Sequence, residues 1–469
     1  MHTSTTSTVP LVSWTVAQLL EATQGYWLND QAPNTEIKRI LTDSRDAEAG
    51  DAFLALKGER FDAHAFITQV AEQGCQVAIV SQPIDAEICQ LVVPDTRLAL
   101  GQLGAYRRAQ NPQLKVIALT GSSGKTTTKE MLGSILSRIA PTLVTRGNLN
   151  NDLGVPVMLL ELRPEHQYAV MELGASHQGE IDYTSNLVQP LVAGIINIGT
   201  AHLGEFGGRD GICRAKSEIY AHIAPNGTSI VPAADDFADS IRQAVQTEQV
   251  LSFGAGGEIF ATEIELQAQS ATFKLNTPQG VRQVNLPFAG EHNVQNATAA
   301  AAFALAIGIS LDDIVLGLEQ AVGAKGRLNF IQQGRHLLID DTYNANPTSM
   351  RAAAEVLAQQ EGVRVMVMGD IGELGSSAAQ QHYMLGRDLV SVKGLNFVVA
   401  VGEFAPAAQE GARSTQYGKK MQAFLTQEQA LPFLLSLIET HQPQSMSFLF
   451  KGSRYTHMET LMADLMEKL

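Results

Sequence analysis

The sequence predicts an α/β protein of three domains whose sheets are mostly parallel. The first of three supporting observations is the length of 469 residues, which exceeds what one hydrophobic core normally supports. The second is the alternation of short apolar runs with helical patterns through the middle and end of the chain. The third is a pair of breaks near Asn111-Pro112 and near Gly326. We therefore expect domains at residues 1–111, 112–325 and 326–469.

Apolar runs of strand length mark the two outer domains. In the first domain they cover residues 52–56 and 77–80 and are mixed with turn residues, which predicts a smaller α/β domain. In the third domain they recur at residues 336–340, 364–368, 397–401 and 447–451. Helical patterns separate these runs, and this alternation is typical of a Rossmann-like, doubly wound domain.

The central domain opens with a buried type of strand at residues 115–120, a glycine-rich turn and a helical pattern from Lys125 to about Ile139. Further apolar runs follow at residues 168–173 and 192–198, and an alanine-rich helix is expected at residues 294–307. This order predicts a P-loop-type domain on a mostly parallel sheet, with ligand sites at the carboxyl ends of the strands.

Composition and charge exclude several classes of protein. Hydrophobic residues make up 45% of the chain, as in ordinary globular proteins, and no apolar stretch is long enough to cross a bilayer. The net charge of −15 argues against a nucleic-acid surface, although a local cluster of cations can still bind a small polyanion. Three scattered cysteines and an N-terminal segment without Lys, Arg or an apolar core favour a cytoplasmic protein without membrane insertion.

The glycine-rich turn, Thr-Gly-Ser-Ser-Gly-Lys-Thr-Thr-Thr at residues 120–128, predicts a phosphate-binding loop. Lys125 can reach the β- and γ-phosphates, and the Thr126 hydroxyl can ligate Mg²⁺. The standard motif has glycine where this chain has Leu119, so the loop is a shorter variant. The alternative is a turn that binds nothing. The residues expected to contact the nucleotide are Gly121, Ser122, Ser123, Gly124, Lys125, Thr126 and Thr127.

Two strand ends and one helix carry further candidate metal ligands. Glu172 ends one apolar run and suits Mg²⁺, but a solvated carboxylate is the alternative. His202 follows the next run, where a structural histidine is the alternative. Lys216 would ordinarily be a lysine on a helix surface, and its ammonium group would repel a metal ion. If CO₂ added to it, the resulting carbamate would be an anionic oxygen ligand.

These residues and several other segments resemble the Mur ligase family, and the resemblance covers nearly the whole chain. One departure is Ser217, because a glycine commonly follows the lysine in the family. The segments that carry the resemblance are residues 42–45, 55–64, 120–128, 147–151, 154–156, 291–296, 326–327, 340–347, 369–375 and 451–454.

The resemblance implies roles for particular residues. The implied ligands of two Mg²⁺ ions are Thr126, Glu172, His202 and Lys216, the last as a carbamate; Lys125, Glu172, His202 and Lys216 would be the catalytic residues. Further contacts to ATP are implied for Asn293, Asn296, Arg327, Asp341 and Tyr343. Substrate contacts are implied for Asp43, Ser44, Arg45 and Lys57 in the uridine-nucleotide domain, and for Asn150, Asn151, Asn344 and Asn346 elsewhere.

The segments at residues 340–346 and 369–375 resemble most closely the family members that add D-alanyl-D-alanine. This implies an ATP-dependent amide ligase that extends UDP-N-acetylmuramoyl-tripeptide (UDP-MurNAc-tripeptide) through an acyl phosphate, acting as a monomer in peptidoglycan synthesis. The alternatives are a diaminopimelate-adding ligase, a folyl-polyglutamate synthetase, or a regulatory P-loop protein without ligase chemistry. A structural role without nucleotide is a further alternative.

Overall fold

The computed structural model describes residues 12–58, 61–200 and 203–469. Backbone packing divides the chain into two compact units. The first contains the chain up to Ala118 together with Ala140–Gly174 and Asp182–Pro190, and the second contains Leu119–Ile139, Ala175–Ile181 and Leu191–Leu469. None of the described helices is long and apolar enough to cross a bilayer.

The N-terminal sheet has the strand order β1-β5-β4-β3-β2, and its pairs are parallel except for β1 with β5. Its strands are β1 Tyr26–Trp27, β2 Ile40–Leu41, β3 Ala52–Leu54, β4 Val77–Val80 and β5 Cys89–Val92. Its helices are α1 Val16–Thr23, α2 Ile67–Glu72 and α3 Thr96–Ala109. Because β2, β3 and β4 run in the same direction, the segments that follow them lie at one edge of the sheet.

The central sheet has the strand order β11-β10-β9-β6-β8-β7. Its strands are β6 Lys115–Thr120, β7 Thr142–Val144, β8 Tyr168–Glu172, β9 Val192–Ile195, β10 Thr228–Pro232 and β11 Gln249–Phe253. The helices along this part of the chain are α4 Lys125–Ser137, α5 Gly154–Leu160, α6 Glu180–Val188, α7 Leu203–Phe206, α8 Arg209–Ser217 and α9 Ala238–Ala244. The pairs β7–β8, β9–β10 and β10–β11 are parallel, and β8 and β9 are buried throughout. The parallel pairs confirm the predicted mostly parallel sheet. Apolar runs indicated such a sheet because strands that are covered on both faces are apolar throughout.

A small antiparallel sheet and two helices complete the central part of the chain. They are β12 Phe260–Leu266, β13 Ala271–Thr277, β14 Gly280–Leu286, α10 Glu291–Ala306 and α11 Leu311–Glu319. The alanine-rich helix expected at residues 294–307 is α10, which packs against α4, and all of its alanines except Ala306 are buried. Strand β12 has no continuous apolar run because it is largely exposed.

The C-terminal sheet has the order β15-β16-β20-β17-β18-β19 and is parallel except for the edge pair β15–β16. Its strands are β15 Asn329–Gln333, β16 His336–Asp340, β17 Val363–Gly369, β18 Phe397–Val401, β19 Met421–Phe424 and β20 Met446–Lys451. Its helices are α12 Pro347–Ala358, α13 Ala378–Ser391, α14 Ala405–Arg413, α15 Gln427–Thr440 and α16 Met458–Met466. Separate apolar clusters cover its two faces, which confirms the predicted doubly wound domain.

Helices α13 and α14 approach each other through glycines. A Cβ atom on Gly411 would lie 1.8 Å from the carbonyl oxygen of Tyr383, and one on Gly386 would lie 1.9 Å from that of Ala408. Real carbon and oxygen atoms cannot approach so closely, so the helices would have to move apart to admit even a methyl group.

We expect Gly411→Ala to destabilise the protein by about 3 kcal/mol, near the upper end for an overpacked core, although alanine by itself favours helix. The melting temperature measures this loss. The control is Glu410→Ala, because Glu410 is exposed on the same helix. Equal melting temperatures for the two variants would contradict the packing argument.

Candidate active site

The predicted phosphate-binding loop at residues 120–128, called the phosphate loop below, joins β6 to α4 through a residue in the left-handed region. Gly124 caps α4 with φ 79° and ψ −6°. A Cβ atom there would also lie 2.2 Å from Oδ1 of Asn296. Glycine is therefore required both by the backbone angle and by the neighbouring side chain. The 13-residue helix α4 then directs its N-terminal N–H groups toward the loop, which favours a bound anion.

Two cationic side chains contact this loop. Lys125 Nζ donates to the carbonyl oxygen of Gly121 at 2.9 Å. Arg327 Nη2 donates to Thr126 Oγ1 at 3.1 Å, and its guanidinium lies 4.5 Å from the centre of the Tyr343 ring. Arg327 thus links the predicted residues Thr126 and Tyr343, and with Lys125 it places positive charge where phosphates are expected.

Asn197 also holds the loop, although it was not among the predicted site residues. Its Oδ1 accepts from the backbone N–H groups of Ser122 at 3.2 Å and Ser123 at 2.9 Å. Its Nδ2 donates to the carbonyl oxygen of Ser123 at 3.0 Å. The signal in the sequence is a polar residue within the apolar run Ile195-Ile-Asn-Ile198, because such residues generally need hydrogen-bond partners.

A cavity of about 650 Å³ opens beside the loop. This volume is suitable for a small ligand such as a nucleotide. Two asparagines on its wall form a chain in which Asn296 Nδ2 donates to Asn293 Oδ1 at 3.0 Å and Asn293 Nδ2 donates to the carbonyl oxygen of Ala289 at 2.8 Å. The predicted residues that line the cavity are Ser123, Gly124, Thr127, Asn293, Asn296, Arg327 and Asp341.

A buried ion pair lies on the same cavity wall. Lys451 Nζ is 2.7 Å from Asp341 Oδ2 and donates to the carbonyl oxygen of Asn344 at 3.0 Å. Burial raises the pKa of Asp341, while the charge of Lys451 acts in the opposite direction. Burial, with a smaller contribution from Lys451, lowers the pKa of His292 to about 4, so this imidazole is neutral near pH 7. Neither Lys451 nor His292 was among the predicted site residues.

Asn344 and Asn346, which were predicted as substrate residues, have different surroundings. The Asn344 side chain accepts from the backbone N–H of Ala345 at 2.8 Å. Asn346 caps α12 by accepting from the Ser349 N–H at 2.8 Å, and its Nδ2 donates to Ser123 Oγ at 3.0 Å. The structure therefore places Asn346 against the phosphate loop.

Glu172, a predicted metal ligand, is hydrogen-bonded to the predicted substrate residue Asn150. Its side chain is only 2% exposed and its Oε1 accepts from Asn150 Nδ2 at 2.8 Å. The neighbouring Asn151 accepts from the Gly154 N–H at 2.8 Å at the start of α5. The alternative of a solvated strand-end carboxylate is therefore wrong for Glu172.

Lys216 and His202 complete the predicted metal ligands. Lys216 lies in the last turn of α8 and is 2% exposed, so it is not an ordinary surface lysine. His202 lies outside the described residues. Within the described part of the chain there is no group of three or more His, Cys, Asp or Glu side chains placed to hold a metal ion.

The predicted uridine-nucleotide residues follow β2 and β3 at one edge of the N-terminal sheet. Both carboxylate oxygens of Asp43 accept hydrogen bonds from the Arg45 guanidinium, and these bonds lower the pKa of Asp43 to about 2. Ser44 begins the short 3-10 helix Ser44–Asp46, which Asp43 caps. Lys57 Nζ lies 3.9 Å from Asp62 Oδ2. These polar groups provide charges of both signs at the edge.

His64 supports this edge and was not among the predicted site residues. Its Nε2 accepts from the backbone N–H of Ser81 at 3.0 Å. Because a backbone N–H can only donate, Nε2 carries no proton, and the Nδ1 proton is donated to Asp62 at 2.5 Å. A neutral His64 therefore fixes the Asp62 carboxylate, which in turn lies beside Lys57.

Models of known protein families match most of the chain. The Mur ligase middle domain matches residues 119–304, and the model described as Mur ligase, glutamate ligase domain matches residues 326–454. The model described as Mur ligase family, catalytic domain matches residues 36–118. The domain boundaries predicted at residues 111 and 325 stay a prediction.

Individual relatives match along nearly the full length. The UDP-N-acetylmuramoyl-tripeptide–D-alanyl-D-alanine ligase of Escherichia coli is 41% identical, over 97% of this chain and 99% of its own. The crystal structure I of MurF from Acinetobacter baumannii is 76% identical with a TM-score of 0.95, over 98% of this chain and 100% of its own. MurF ligase from Thermotoga maritima in complex with ADP is 26% identical with a TM-score of 0.79, over 92% of this chain and 97% of its own. The chain therefore belongs to the Mur ligase family.

Proposed function

We propose that the protein is an ATP-dependent amide ligase that joins D-alanyl-D-alanine to UDP-MurNAc-tripeptide in peptidoglycan synthesis. The observation that carries this proposal is the cavity of about 650 Å³, where a phosphate loop, the cation Arg327 and the buried pair Asp341–Lys451 meet. Relatives named for this reaction align along nearly the whole chain, which supports the choice of substrates. We further propose that the protein acts in the cytoplasm and as a monomer, as the resemblance to the family implies.

Nucleotide binding is assigned to the residues around this cavity. The N-terminus of α4, Lys125 and Arg327 would hold the phosphates, because both side chains already contact the loop that receives them. Asn293 and Asn296 present amide groups to the cavity and suit the adenine ring. Asp341 suits the ribose hydroxyls, and Lys451 holds its carboxylate in place.

Activation of the tripeptide brings two anions together. Its terminal carboxylate oxygen would attack the γ-phosphorus of ATP, and ADP would leave. The amine of D-alanyl-D-alanine would then attack the carbonyl carbon of the acyl phosphate, and inorganic phosphate would leave. Lys125 and Arg327 reduce the repulsion between carboxylate and triphosphate. The contacts of Arg327 and Asn346 with the loop would help exclude water, which otherwise hydrolyses the acyl phosphate.

The magnesium ligands are proposed to be Thr126, Glu172, His202 and Lys216, holding two ions. The donor chemistry fits, because Glu172 offers a buried carboxylate and Lys216 has a side chain almost fully removed from water. Burial disfavours the charged form of a lysine, and only the neutral amine adds CO₂. The carbamate that forms is an anionic oxygen ligand, so a buried lysine suits carbamylation. Bound Mg²⁺ would supply charge neutralisation on the phosphates.

Recognition of the UDP end is assigned to the N-terminal sheet edge. Asp43, Ser44, Arg45 and Lys57 follow parallel strands there and provide hydrogen-bond donors and acceptors for a uridine nucleotide. Asn150 and Asn151 are proposed to face the substrate. In the structure Asn150 also donates to Glu172, and Asn151 accepts from the Gly154 N–H at the start of α5.

Phosphate release in the presence of ATP and UDP-MurNAc-tripeptide tests this proposal. We expect D-alanyl-D-alanine to drive phosphate release, because its amine is the proposed second substrate. Diaminopimelate or single amino acids should drive little release. Faster release with diaminopimelate would indicate another ligase of the same family. Release without any peptide would favour a regulatory P-loop protein.

We expect Lys125→Ala to lower turnover by about 100-fold or more, because it removes a cation from the developing phosphate charge. Steady-state phosphate release measures the loss, and an unchanged melting temperature would show that the fold is intact. The matched control is Lys393→Ala, since Lys393 is exposed in the loop after α13. Near-native turnover of Lys125→Ala would contradict the phosphate role.

Lys216→Ala tests the carbamate. We expect this variant to be inactive and to recover part of its activity with added formate or acetate, because a small carboxylate can replace the missing anionic ligand. Lys125→Ala serves as the control and should not recover, since it lacks a cation. A fully active Lys216→Ala enzyme, or one that carboxylates do not restore, would argue against carbamylation.

A further inference from the structure

The phosphate loop is hydrogen-bonded to a side chain from the segment that follows strand β9. The loop has two residues, Ser122 and Ser123, between its glycines, and their N–H groups both donate to Oδ1 of Asn197. The Ser122 N–H also donates to the Asn197 carbonyl oxygen at 3.1 Å. With the bond from Asn197 Nδ2 to the Ser123 carbonyl oxygen, one residue makes four hydrogen bonds to this turn.

The segment that carries Asn197 is itself held on both sides. The Ile198 N–H donates to Asp235 Oδ2 at 2.8 Å, and the Ile198 carbonyl oxygen accepts from Arg209 Nη2 at 2.7 Å. On the other side of Asn197, the Ile196 N–H donates to the carbonyl oxygen of Thr120 at 2.8 Å, next to the loop. Asn197 is therefore presented to the loop from a fixed backbone.

These contacts restrict which backbone groups can bind phosphate. The N–H groups of Ser122 and Ser123 are engaged by Asn197, although the sequence predicted them as nucleotide contacts. The first turn of a helix has N–H groups that its own hydrogen-bond ladder does not use. Phosphate would thus bind to the α4 side of the loop, and Asn197 would maintain the shape that exposes this side.

We propose that Asn197 is a positioning residue for ATP, whose carboxamide supplies the hydrogen bonds that the shortened loop cannot make for itself. The inference rests on the nucleotide site proposed above. A carboxamide is required because it accepts from two N–H groups with its oxygen and donates to a carbonyl with its nitrogen. A carboxylate of the same shape could only accept.

Calorimetric titration with ADP tests this proposal on the full-length protein. We expect Asn197→Ala to weaken ADP binding by about 10- to 100-fold, because the Ser123 N–H loses its acceptor, the Ser123 carbonyl loses its donor, and the Ser122 N–H keeps only the backbone carbonyl of residue 197. The control is Asn285→Ala, since Asn285 is exposed and binds Glu319. ADP should also raise the melting temperature of Asn197→Ala less than that of the unmodified protein.

Two results would overturn the proposal. Binding of ADP to Asn197→Ala within about twofold of the unmodified protein would show that the loop keeps its shape alone. A lower melting temperature with an unchanged ADP-induced increase would show a purely structural role. Failure of the unmodified protein to bind ADP would instead reject the proposed nucleotide site, and this inference with it.

Asn197→Asp tests the donor function separately. Its carboxylate keeps the two accepted bonds but faces the Ser123 carbonyl oxygen without a proton, so we expect weaker ADP binding near neutral pH. An ordinary aspartate ionises near pH 4, so this charge persists from about pH 6 to about pH 8. ADP affinity within about twofold of the unmodified protein over this range would contradict the role of the donated hydrogen bond.

Discussion

The site depends on one constraint, namely that the backbone polar groups of a short, partly buried loop must find hydrogen-bond partners outside the loop. Asn197 satisfies Ser122 and Ser123 from the end of β9, and Asn346 reaches Ser123 from the start of α12. The bond from Ile196 to Thr120 brings the first of these partners beside the loop. The position of β9 beside β6 in the central sheet is thus required for the shape of the loop.

Charge at the cavity is local and opposes the charge of the chain as a whole. The protein has a net charge of −15, yet Lys125 and Arg327 contact the loop and Lys451 lies on the cavity wall. Burying the Asp341–Lys451 pair costs desolvation free energy, which offsets the attraction between the two charges. We interpret the pair as a means of orienting Asp341, because Lys451 also bonds to the backbone at Asn344.

Much of the fold could be predicted because it follows from local patterns. The alternation of apolar runs with helices predicted parallel sheets, and β16, β17, β18 and β20 form where strands were expected. The edge strands β15 and β19 and the small sheet β12–β14 were not predicted, because partly exposed strands have weaker apolar patterns. Of the candidate site, the loop and the cavity residues Asn293, Asn296, Arg327 and Asp341 come together, while the roles assigned to them stay predictions.

The sequence alone predicted a strand, a glycine turn and a helix here, because these elements are encoded within a few neighbouring residues, and the structure has all three. The hydrogen bonds that hold the turn could be seen only in the folded chain. Asn197 is 75 residues from Ser122, and Asn346 is 223 residues from Ser123. The burial of Lys216 and the neutral state of His64 likewise follow from partners and packing supplied by folding. Hydrogen bonding and burial depend on distance in space, which no local pattern of residues specifies.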